Sequence, residues 1–427
     1  MRTLLALMLC CAAVPAAAQT PLHPFPQHVN YAAGSLRVSH RTQAQLDQDV
    51  RDAYARWKTA YLRTAGTDGG GNPLYRVLCN TDGNGNTVSE GQGYGLVIVA
   101  LMAGHDPDAA AIAAGLWRYA DLHPSGIDNR LMSWNISAAG QPQEGNDSAF
   151  DGDNDLALGL LIAAAQWPGP TPVDFRANAL QVLAGQAGSV TGPASKLPLL
   201  GDWVEPDGAT YDQYSVRPSD FMPAHALNFA AAAGGAPIWS QSIVAMRAAV
   251  EHLQTTYAPA TGLVPDFVVR ESAGSAQVKP APPDFLEGPN DGDYAYNAGR
   301  VPLRLATHAL LHGDADAARQ ARRIASWSQA ASGGVATNIR PGYRLDGTPL
   351  ATNYFTSFFA APIGVAAMTA PTQQSWLNAV YDSVRTRQEG YYEDSVALLS
   401  LLVMSGTYWD PVAIDRLFAD GMQRIAP

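Results

Sequence analysis

Residues 147–166 read DSAFDGDNDLALGLLIAAAQ, an acidic stretch that runs directly into an apolar one. The part from Leu156 to Gln166 is rich in Ala and Leu, which are strong helix formers, and it predicts an α-helix. A second helix is predicted over Ala44–Arg63, where apolar residues recur every three or four positions. Ten further stretches have the same spacing: Gly93–Met102, Asp108–Leu122, Phe175–Ala187, Pro223–Ala233, Ser240–Tyr257, Asn297–Leu311, Asp314–Ala330, Ser357–Met368, Gln373–Val384 and Glu393–Met404.

The twelve candidate helices define the expected fold class. No series of β-branched runs indicates a large sheet, so we predict an all-α protein. Three long loops, roughly Ser189–Asp220, Arg270–Asp293 and Gly333–Ala351, separate the helices. Loops of this length inside a compact domain tend to be functional. The simplest architecture is a ring of paired helices whose long loops form an open cleft.

The first eighteen residues are typical of an export signal. Arg2 precedes the short apolar run Leu4–Val14, and small residues lead up to a predicted cleavage after Ala18. Residues 19–427 are then expected to form a single domain, secreted or periplasmic. Two cysteines lie inside the apolar run, which leaves a lipoprotein as the minor alternative, although Leu9 is unusual before a lipidated cysteine. Only Cys79 remains after cleavage, so no internal disulfide is possible.

The charge of the chain limits its partners. The formal net charge is −11, and loss of Arg2 with the signal makes it −12, which argues against a nucleic-acid partner. A cationic polymer would be attracted at long range, although acidity is common in exported proteins. No later segment has an apolar run long enough for a membrane span, so we expect no membrane association after cleavage. We expect a monomer.

A glycine-rich segment, Ser89–Gly95 (SEGQGYG), leads into one predicted helix. Ser89 is a candidate cap, and Glu90 falls in the first helical turn among glycines, where a ligand can approach closely. The alternative interpretation is a carboxylate placed there only because the helix dipole favours it. The following Tyr94 makes a ligand site plausible.

The acidic stretch Asp147–Asp155 contains four Asp residues within nine positions. It fails the calcium-loop pattern, because Leu156 takes the place of the required Gly and Ile162 that of the closing Glu. No metal and no cofactor are therefore expected. At least one of these Asp residues is expected to act as a helix cap, whereas another is able to accept hydrogen bonds from sugar hydroxyls.

A third candidate region is the loop Pro282–Gly288, in which Glu287 follows Phe285 and Leu286. The apolar neighbours suggest that the loop packs down onto the protein, and Arg300 beyond it is available to pair with a carboxylate. Aromatic side chains suited to sugar rings lie in or near predicted loops: Trp134, Trp203, Tyr294, Tyr296, Tyr391 and Tyr392. The sequence has no Gly-x-Ser-x-Gly elbow, phosphate loop or His-Glu-x-x-His motif. The remaining candidates are carboxylates on loops, which are the groups that glycoside hydrolysis uses.

Together these motifs resemble glycoside hydrolase family 8 over most of the chain after the signal. Ser89–Gly95 matches the family's SEGQGYG segment, and 149–157 (AFDGDNDLA) is similar to its A-[ST]-D-G-D-x-x-[IM]-A signature, with departures at Phe150 and Leu156. Tyr54–Lys58 and Leu131–Trp134 resemble two further family segments. The resemblance implies an (α/α)6 barrel, Glu90 as general acid, Asp151 as the residue that holds the sugar at the cleavage point, and Trp134 as a stacking platform.

One departure from the family pattern concerns the general base. Cellulase-like and xylanase-like members carry it as Asp in a Tyr-Asp-Ala-x-Arg segment, but this chain has Asn297 within Tyr296–Arg300. The subgroup with chitosanases and lichenases takes a Glu from an upstream loop instead, and Glu287 lies at that place. Arg217–Met222 also resembles that subgroup. Asp284 and Asp291 are second choices for the base.

The resemblance therefore implies an inverting hydrolase that cuts β-1,4 linkages, with Arg300 and Tyr296 beside the substrate. Mixed-linkage β-1,3-1,4-glucan and chitosan are both left open as the polysaccharide, with cellulose third. Chitosan would favour extra cleft carboxylates, for which Asp147, Asp153, Asp220 and Asp284 are candidates. The rival hypothesis is a non-catalytic polysaccharide-binding protein on the same helical scaffold.

Overall fold

The computed structural model describes residues 20–80, 85–351 and 353–419. The predicted signal peptide therefore lies outside the described residues. Thirteen α-helices occur in the described ranges: α1 (Gln43–Tyr61), α2 (Ser89–Leu101), α3 (Ala109–Asp121), α4 (Phe150–Gln166), α5 (Phe175–Ser189), α6 (Pro223–Ala232), α7 (Pro237–His252), α8 (Val301–His312), α9 (Ala315–Ala331), α10 (Ser357–Ala367), α11 (Gln374–Val384), α12 (Tyr391–Ser405) and α13 (Pro411–Ala419).

The even-numbered helices α2, α4, α6, α8, α10 and α12 form an inner ring, in which each helix contacts the next and α12 returns to α2. The odd-numbered helices α1, α3, α5, α7, α9 and α11 pack around them. Six inner and six outer helices make an (α/α)6 barrel, which confirms the predicted fold class. α13 follows the closed ring and was not predicted.

Burial explains which helices lie inside. Every residue of α10 is buried, and so is every residue of α2 except Glu90. The outer helix α9 instead buries one apolar stripe and turns its Arg-rich face outward, as amphipathic surface helices do. These examples show the difference between the layers: α2 and α10 are buried on almost every side within the barrel, whereas α9 covers it with one apolar stripe.

Three antiparallel hairpins lie outside the ring: β1 (Leu62–Thr67) with β2 (Pro73–Val77), β3 (Thr87–Val88) with β4 (Asn135–Ile136), and β5 (Val268–Arg270) with β6 (Val278–Pro280). The β3–β4 pair places the start of α2 beside the segment that carries Trp134. The Ser89 backbone N–H donates to the Trp134 carbonyl at 2.8 Å, which joins the two segments directly.

Helix starts differ from the sequence prediction at the two motif-bearing helices. α2 begins at Ser89 rather than Gly93, and α4 begins at Phe150 rather than Leu156. In both, the polar motif itself forms the first turns, because buried polar side chains replace the apolar residues on which periodicity depends. The expected capping role of Ser89 was wrong: Val88 is the N-cap, and no side chain caps the helix.

Another difference occurs where one helix was predicted over Asn297–Leu311. The chain first forms a 3-10 turn over Tyr296–Arg300 and then α8, which starts at Val301 with Pro302 in its first turn. Proline suits a helix start because its fixed φ and missing N–H cost nothing there.

The closest approach of inner helices involves two glycines, Gly93 in α2 and Gly152 in α4. A Cβ on Gly152 would lie 2.5 Å from the Ser89 carbonyl carbon, and one on Gly93 would lie 2.8 Å from the Gly152 oxygen. Only glycine permits this spacing, which brings the first turns of α2 and α4 side by side. Within the described ranges, no helix has the length and apolar character needed to cross a membrane.

Candidate active site

A cleft of about 540 Å³ opens at the end of the barrel where α2 and α4 begin. Five of the six predicted site residues line it: Glu90, Trp134, Asp151, Glu287 and Tyr296. The sixth, Arg300, lies directly beneath with only 1% of its side chain exposed. The six predicted residues, separated by up to 210 positions in the sequence, thus meet at one place.

Glu90 projects from the first turn of α2 into this cleft, with 14% of its side chain exposed. Its Oε2 accepts a hydrogen bond from Arg300 Nη1 at 2.6 Å, and its Oε1 accepts one from the Tyr391 hydroxyl at 2.9 Å. Burial raises the pKa of Glu90 to about 8, with Arg300 opposing and Asp151 reinforcing the shift. The carboxyl is therefore mostly protonated at neutral pH.

Arg300 is the centre of the buried polar network. Nη1 donates to Glu90 and to Asp151 Oδ2, both at 2.6 Å, while Nη2 donates to Ser219 Oγ at 2.9 Å and Asp220 Oδ1 at 3.2 Å. One guanidinium therefore fixes the relative positions of three carboxyl groups from three elements. Buried charges need such pairing, because desolvation is otherwise costly.

Asp151, in the first turn of α4, is 4% exposed. Burial by itself would raise the pKa of Asp151, but Arg300 and Arg217 outweigh it and hold that pKa below its ordinary value. Asp220 is affected in the opposite direction, since burial and the charge of Asp151 raise its pKa. Asp151 thus remains ionised beside a protonated Glu90.

Glu287 faces the cleft from the long loop before α8, with 41% of its side chain exposed. Its Oε1 forms an ion pair with Arg217, and its Oε2 accepts a hydrogen bond from Asn297 Nδ2 at 3.1 Å. Of the two apolar neighbours, Phe285 anchors the loop as expected, because it packs on Phe267 and Tyr211 in a small apolar cluster. Leu286 is instead exposed and lines the cleft. The carboxylate is thus held in place while water can still reach it.

Neither second-choice base lines the cleft. Asp291 is 3% exposed and accepts three backbone N–H bonds, from Leu286, Glu287 and Gly288 at 2.7–3.0 Å. Asp284 is exposed at the outer side of the loop, with a positive φ of 56°. Asp291 therefore shapes the loop that presents Glu287, and of the three candidates for the base only Glu287 lines the cleft.

Aromatic side chains form much of the cleft wall. Trp134 is one of them, and its indole Nε1 donates to the Glu144 carbonyl at 3.3 Å. Tyr296 also lines the cleft and is 67% exposed, with a positive φ of 33°. Trp203, Tyr391 and Tyr392 also line the cleft, whereas Tyr294 is fully buried and takes no part in it.

The four Asp residues of the acidic stretch Asp147–Asp155 have different surroundings. Asp153 is buried and accepts the Met132 backbone N–H at 2.8 Å, and burial raises its pKa well above the ordinary value. Asp155, one turn deeper than Asp151, is paired with Arg304 at 2.7 Å and His225 at 2.8 Å. Of the four Asp residues, only Asp147 and Asp151 reach the cleft lining.

Several site residues escaped the sequence analysis. Asp266 is buried and interacts electrostatically with Arg217 and Glu287, yet its sequence neighbourhood carries no motif. The direct bond from Tyr391 to Glu90 spans 301 positions, so no local pattern indicated it. The amide of Asn297 was expected only as a missing base, and its bond to Glu287 was not anticipated.

With this geometry established, comparisons with known proteins give a consistent result. A sequence profile of glycosyl hydrolases family 8 matches residues 24–406. A β-glucanase of Niallia circulans is 39% identical over 410 residues, covering 95% of this chain and 97% of that protein. An endoglucanase of Bacillus sp. strain KSM-330 is 34% identical, covering 92% of this chain and 83% of that protein.

Among solved structures, the apo β-1,3-1,4-glucanase from Paenibacillus sp. X4 superposes with a TM-score of 0.86 at 39% identity, covering 91% of this chain and all of that one. These likenesses confirm the predicted fold and glycoside hydrolase class, and they give no support to a non-catalytic binding protein. The chain belongs to glycosyl hydrolase family 8.

Proposed function

We propose that the protein is an inverting endo-β-glucanase that cuts mixed-linkage β-1,3-1,4-glucan, with Glu90 as general acid and Glu287 as general base. The observation that carries the proposal is the difference between the two carboxyl environments. Buried Glu90 has its pKa raised to about 8 and keeps its proton, whereas Glu287 is partly exposed and paired with Arg217. A glycosidase needs one carboxyl in each state.

In the proposed reaction, Glu90 donates its proton to the glycosidic oxygen as the bond to the anomeric carbon breaks. Glu287 accepts a proton from a water molecule that attacks the same carbon from the opposite face. The product therefore has inverted configuration, and room for the water requires carboxyls roughly 6.5–9.5 Å apart. Proton NMR of fresh product from mixed-linkage glucan should show the α-anomer first; initial β-anomer would exclude inversion.

Asp151 and the aromatic walls are proposed to bind the sugars. The ionised Asp151 accepts hydrogen bonds from hydroxyl groups of the sugar at the cleavage point. Its hydrogen bond from Arg300 holds the carboxylate in place. Trp134 and Tyr296 both line the cleft, and their flat rings suit the apolar faces of glucose rings. Trp134→Ala should raise KM on polymer more than it lowers kcat.

The choice of glucan over chitosan rests on the cleft carboxylates. Of the four candidates for binding ammonium groups, Asp153 and Asp220 are buried and Asp284 lies off the cleft. Asp147 lines the cleft, but burial and Asp202 raise its pKa to about 6, and exposed Glu144 is its acidic neighbour there. A cleft with so few carboxylates available to bind ammonium groups suits a neutral polymer. The names of the relatives, β-glucanase and β-1,3-1,4-glucanase, support the same substrate.

The test is a panel of barley β-glucan, lichenan, carboxymethyl cellulose and chitosan, assayed for new reducing ends at several salt concentrations. We expect fastest cleavage of the two mixed-linkage glucans, with little response to salt because the polymers are neutral. Fast chitosan cleavage that weakens steeply with ionic strength would instead establish a chitosanase. Cellulose cleavage as fast as that of mixed-linkage glucan would contradict the proposed preference.

We also propose that the protein is exported, with residues 1–18 removed as a signal peptide and residues 19–427 acting as one catalytic domain and as a monomer. The support is the charged start, the short apolar run and the small residues before Gln19. N-terminal sequencing of protein recovered from the medium or periplasm should begin at Gln19, and size-exclusion chromatography with light scattering should give one chain.

A further inference from the structure

Asn297 lies between two side chains of the cleft and contacts both. Its Nδ2 donates to Glu287 Oε2 at 3.1 Å, and its Oδ1 accepts from the Tyr392 hydroxyl at 2.8 Å. The amide is half-buried, at the start of the turn that precedes α8. Both ends of the amide are therefore engaged, one by a donor and one by an acceptor.

The chemistry of the neighbours determines which way this amide points. Burial raises the pKa of Tyr392 well above its ordinary value, so its hydroxyl keeps its proton and donates to the amide oxygen. A carboxylate accepts only, so it requires the amide nitrogen on its side. A flipped amide would set its oxygen against Glu287, and both contacts therefore favour the same orientation.

Tyr392 is itself rigidly held. Its ring stacks on Phe358 with centroids 4.4 Å apart and planes at 27°, and the Arg300 guanidinium lies over it at 5.8 Å. Arg300 also donates hydrogen bonds to Glu90 and Asp151. The same guanidinium therefore contacts the proposed general acid and the tyrosine that bonds Asn297. The hydroxyl of Tyr392 thus holds the amide from a fixed position.

We propose that Asn297, oriented by Tyr392, is a positioning residue that holds the ionised Glu287 carboxylate towards the cleft. The inference rests on the proposed role of Glu287 as general base and deepens it. With Arg217 on Oε1 and Asn297 on Oε2, each carboxylate oxygen has one fixed donor. The remaining lone pairs face the open cleft, where the attacking water is expected.

The pH dependence of kcat/KM can test this role, because the charged groups around Glu287 are known. Arg217 forms its ion pair, buried Asp266 acts on it through space, and Asp291 holds the backbone of its loop. All three are left in place when the Asn297 amide is removed. Loss of a donor makes an ionised carboxylate easier to protonate, so the acidic limb of the kcat/KM profile should move to higher pH.

The experiment compares wild type with Asn297→Leu, Tyr392→Phe and the double variant on mixed-linkage glucan. Asn297→Leu should lower kcat by about ten- to a hundredfold, with KM little changed and the acidic limb moved to higher pH. Tyr392→Phe should cause a smaller change in the same direction, because the amide remains but is free to rotate.

The double variant decides whether Tyr392 acts through Asn297. If it does, the double variant loses no more activity than Asn297→Leu alone, since the hydroxyl has no amide left to orient. Multiplicative losses, or an acidic limb that stays in place in both single variants, would overturn the proposal. Tyr257→Phe, which removes a hydroxyl bound to Glu271 where neither residue lines the cleft, is the matched control and should behave as wild type.

Glu287→Gln separates failure of this inference from failure of the proposed function. An inactive Glu287→Gln variant that azide reactivates supports the base, whatever the Asn297 variants do. A fully active Glu287→Gln variant would remove the base assignment and the inference with it. Thermal melts check folding, and Tyr392→Phe, which changes one atom, keeps the test decisive if Asn297→Leu does not fold.

Discussion

At the scale of single residues, environment gives neighbouring carboxyl groups opposite properties. Glu90 and Asp151 both accept a hydrogen bond from Arg300 Nη1 at 2.6 Å. Burial is the largest single influence on both groups and by itself raises both pKa values. For Glu90 it prevails, reinforced by the charge of Asp151, whereas for Asp151 the combined effect of Arg300 and Arg217 outweighs it and the pKa falls. Chemically similar groups can therefore serve as proton donor and as ionised binding group in one cleft.

The first prediction concerns the alkaline limit of activity. Glu90 must be protonated to act as the acid, and its pKa is raised to about 8, so kcat/KM should fall as the pH rises through about 8. Glu90→Gln should lower kcat by about 10²–10⁴-fold without loss of fold. Rate profiles between pH 5 and 10 measure both effects. An alkaline limb that persists unchanged in residual Glu90→Gln activity would contradict the assignment.

The second prediction concerns Asp151, whose charge contributes to the raised pKa of Glu90. Asp151→Asn should lower kcat about a hundredfold, because hydrogen bonds to the sugar strengthen in the transition state. The alkaline limb should also move to lower pH, since one negative charge beside Glu90 is gone. Asp153→Asn, on the same helix but off the cleft, is the control and should leave both quantities near wild type.

At the scale of elements, one buried carboxylate stabilises the conformation of the loop that carries Glu287. Asp291 accepts the backbone N–H groups of residues 286, 287 and 288, so it fixes the loop without touching the cleft. Multiple charge-assisted hydrogen bonds of this kind are among the stronger ones. The position of the Glu287 backbone is thus set by a residue four positions further along the chain.

The third prediction follows from this loop. Asp291→Ala leaves three N–H groups without their acceptor, so we expect a loss of kcat of at least about tenfold and a destabilisation of about 1–3 kcal/mol. Kinetics on β-glucan and thermal melts measure the two effects. Asp284→Asn, exposed on the same loop, should be neutral; a large loss there with little effect of Asp291→Ala would reverse the roles given to these residues.

The fourth prediction concerns the contact between α2 and α4. Gly152→Ala places a methyl group 2.5 Å from the Ser89 carbonyl carbon, so the two helices must move apart and carry Glu90 away from Asp151. Overpacking of this kind costs about 1–3 kcal/mol. We expect a lower melting temperature together with a lower kcat. Gly169→Ala, where nothing lies within 4 Å of the added carbon, is the control.

At the scale of the whole molecule, buried carboxyls control stability against pH. Burial raises the pKa values of Glu90, Asp153, Asp220 and Asp266. A carboxyl whose folded pKa exceeds its unfolded value stabilises fully below the unfolded value, and this contribution is lost as the pH rises towards the folded pKa. Asp155 acts in the opposite sense, because Arg304 and His225 lower its pKa despite burial.

The fifth prediction is therefore a stability maximum at mildly acidic pH. The melting temperature should fall between pH 5 and 9 as the raised carboxyls are forced to ionise, and it should fall again below about pH 4 as Asp155 is protonated. Scanning calorimetry across pH 3–9 measures the curve. Asp153→Asn should reduce the alkaline slope, and a melting temperature that climbs steadily to pH 9 would rule out this account.

The sequence by itself determined the helices and the motifs. Alanine- and leucine-rich periodicity is a local property, so the twelve predicted helices all occur, with boundary errors where polar motifs begin α2 and α4. The resemblance to the family located Glu90 and Asp151 because both lie in contiguous segments. The loop residues Phe285 and Leu286 also indicated, from local composition, that the Glu287 loop packs onto the protein, which is confirmed for Phe285 and wrong for the exposed Leu286.

Only the tertiary structure decided which carboxyls work together and in which protonation state. Asp151, Asp153 and Asp155 look alike in sequence, but a rotation of 100° and a rise of 1.5 Å per residue direct them to the cleft, to the Met132 backbone and to a deeper ion pair. The pKa of Glu90 depends on desolvation and on Arg300, 210 positions away. Burial and long-range charge arise only when distant segments meet, so no local pattern contains them.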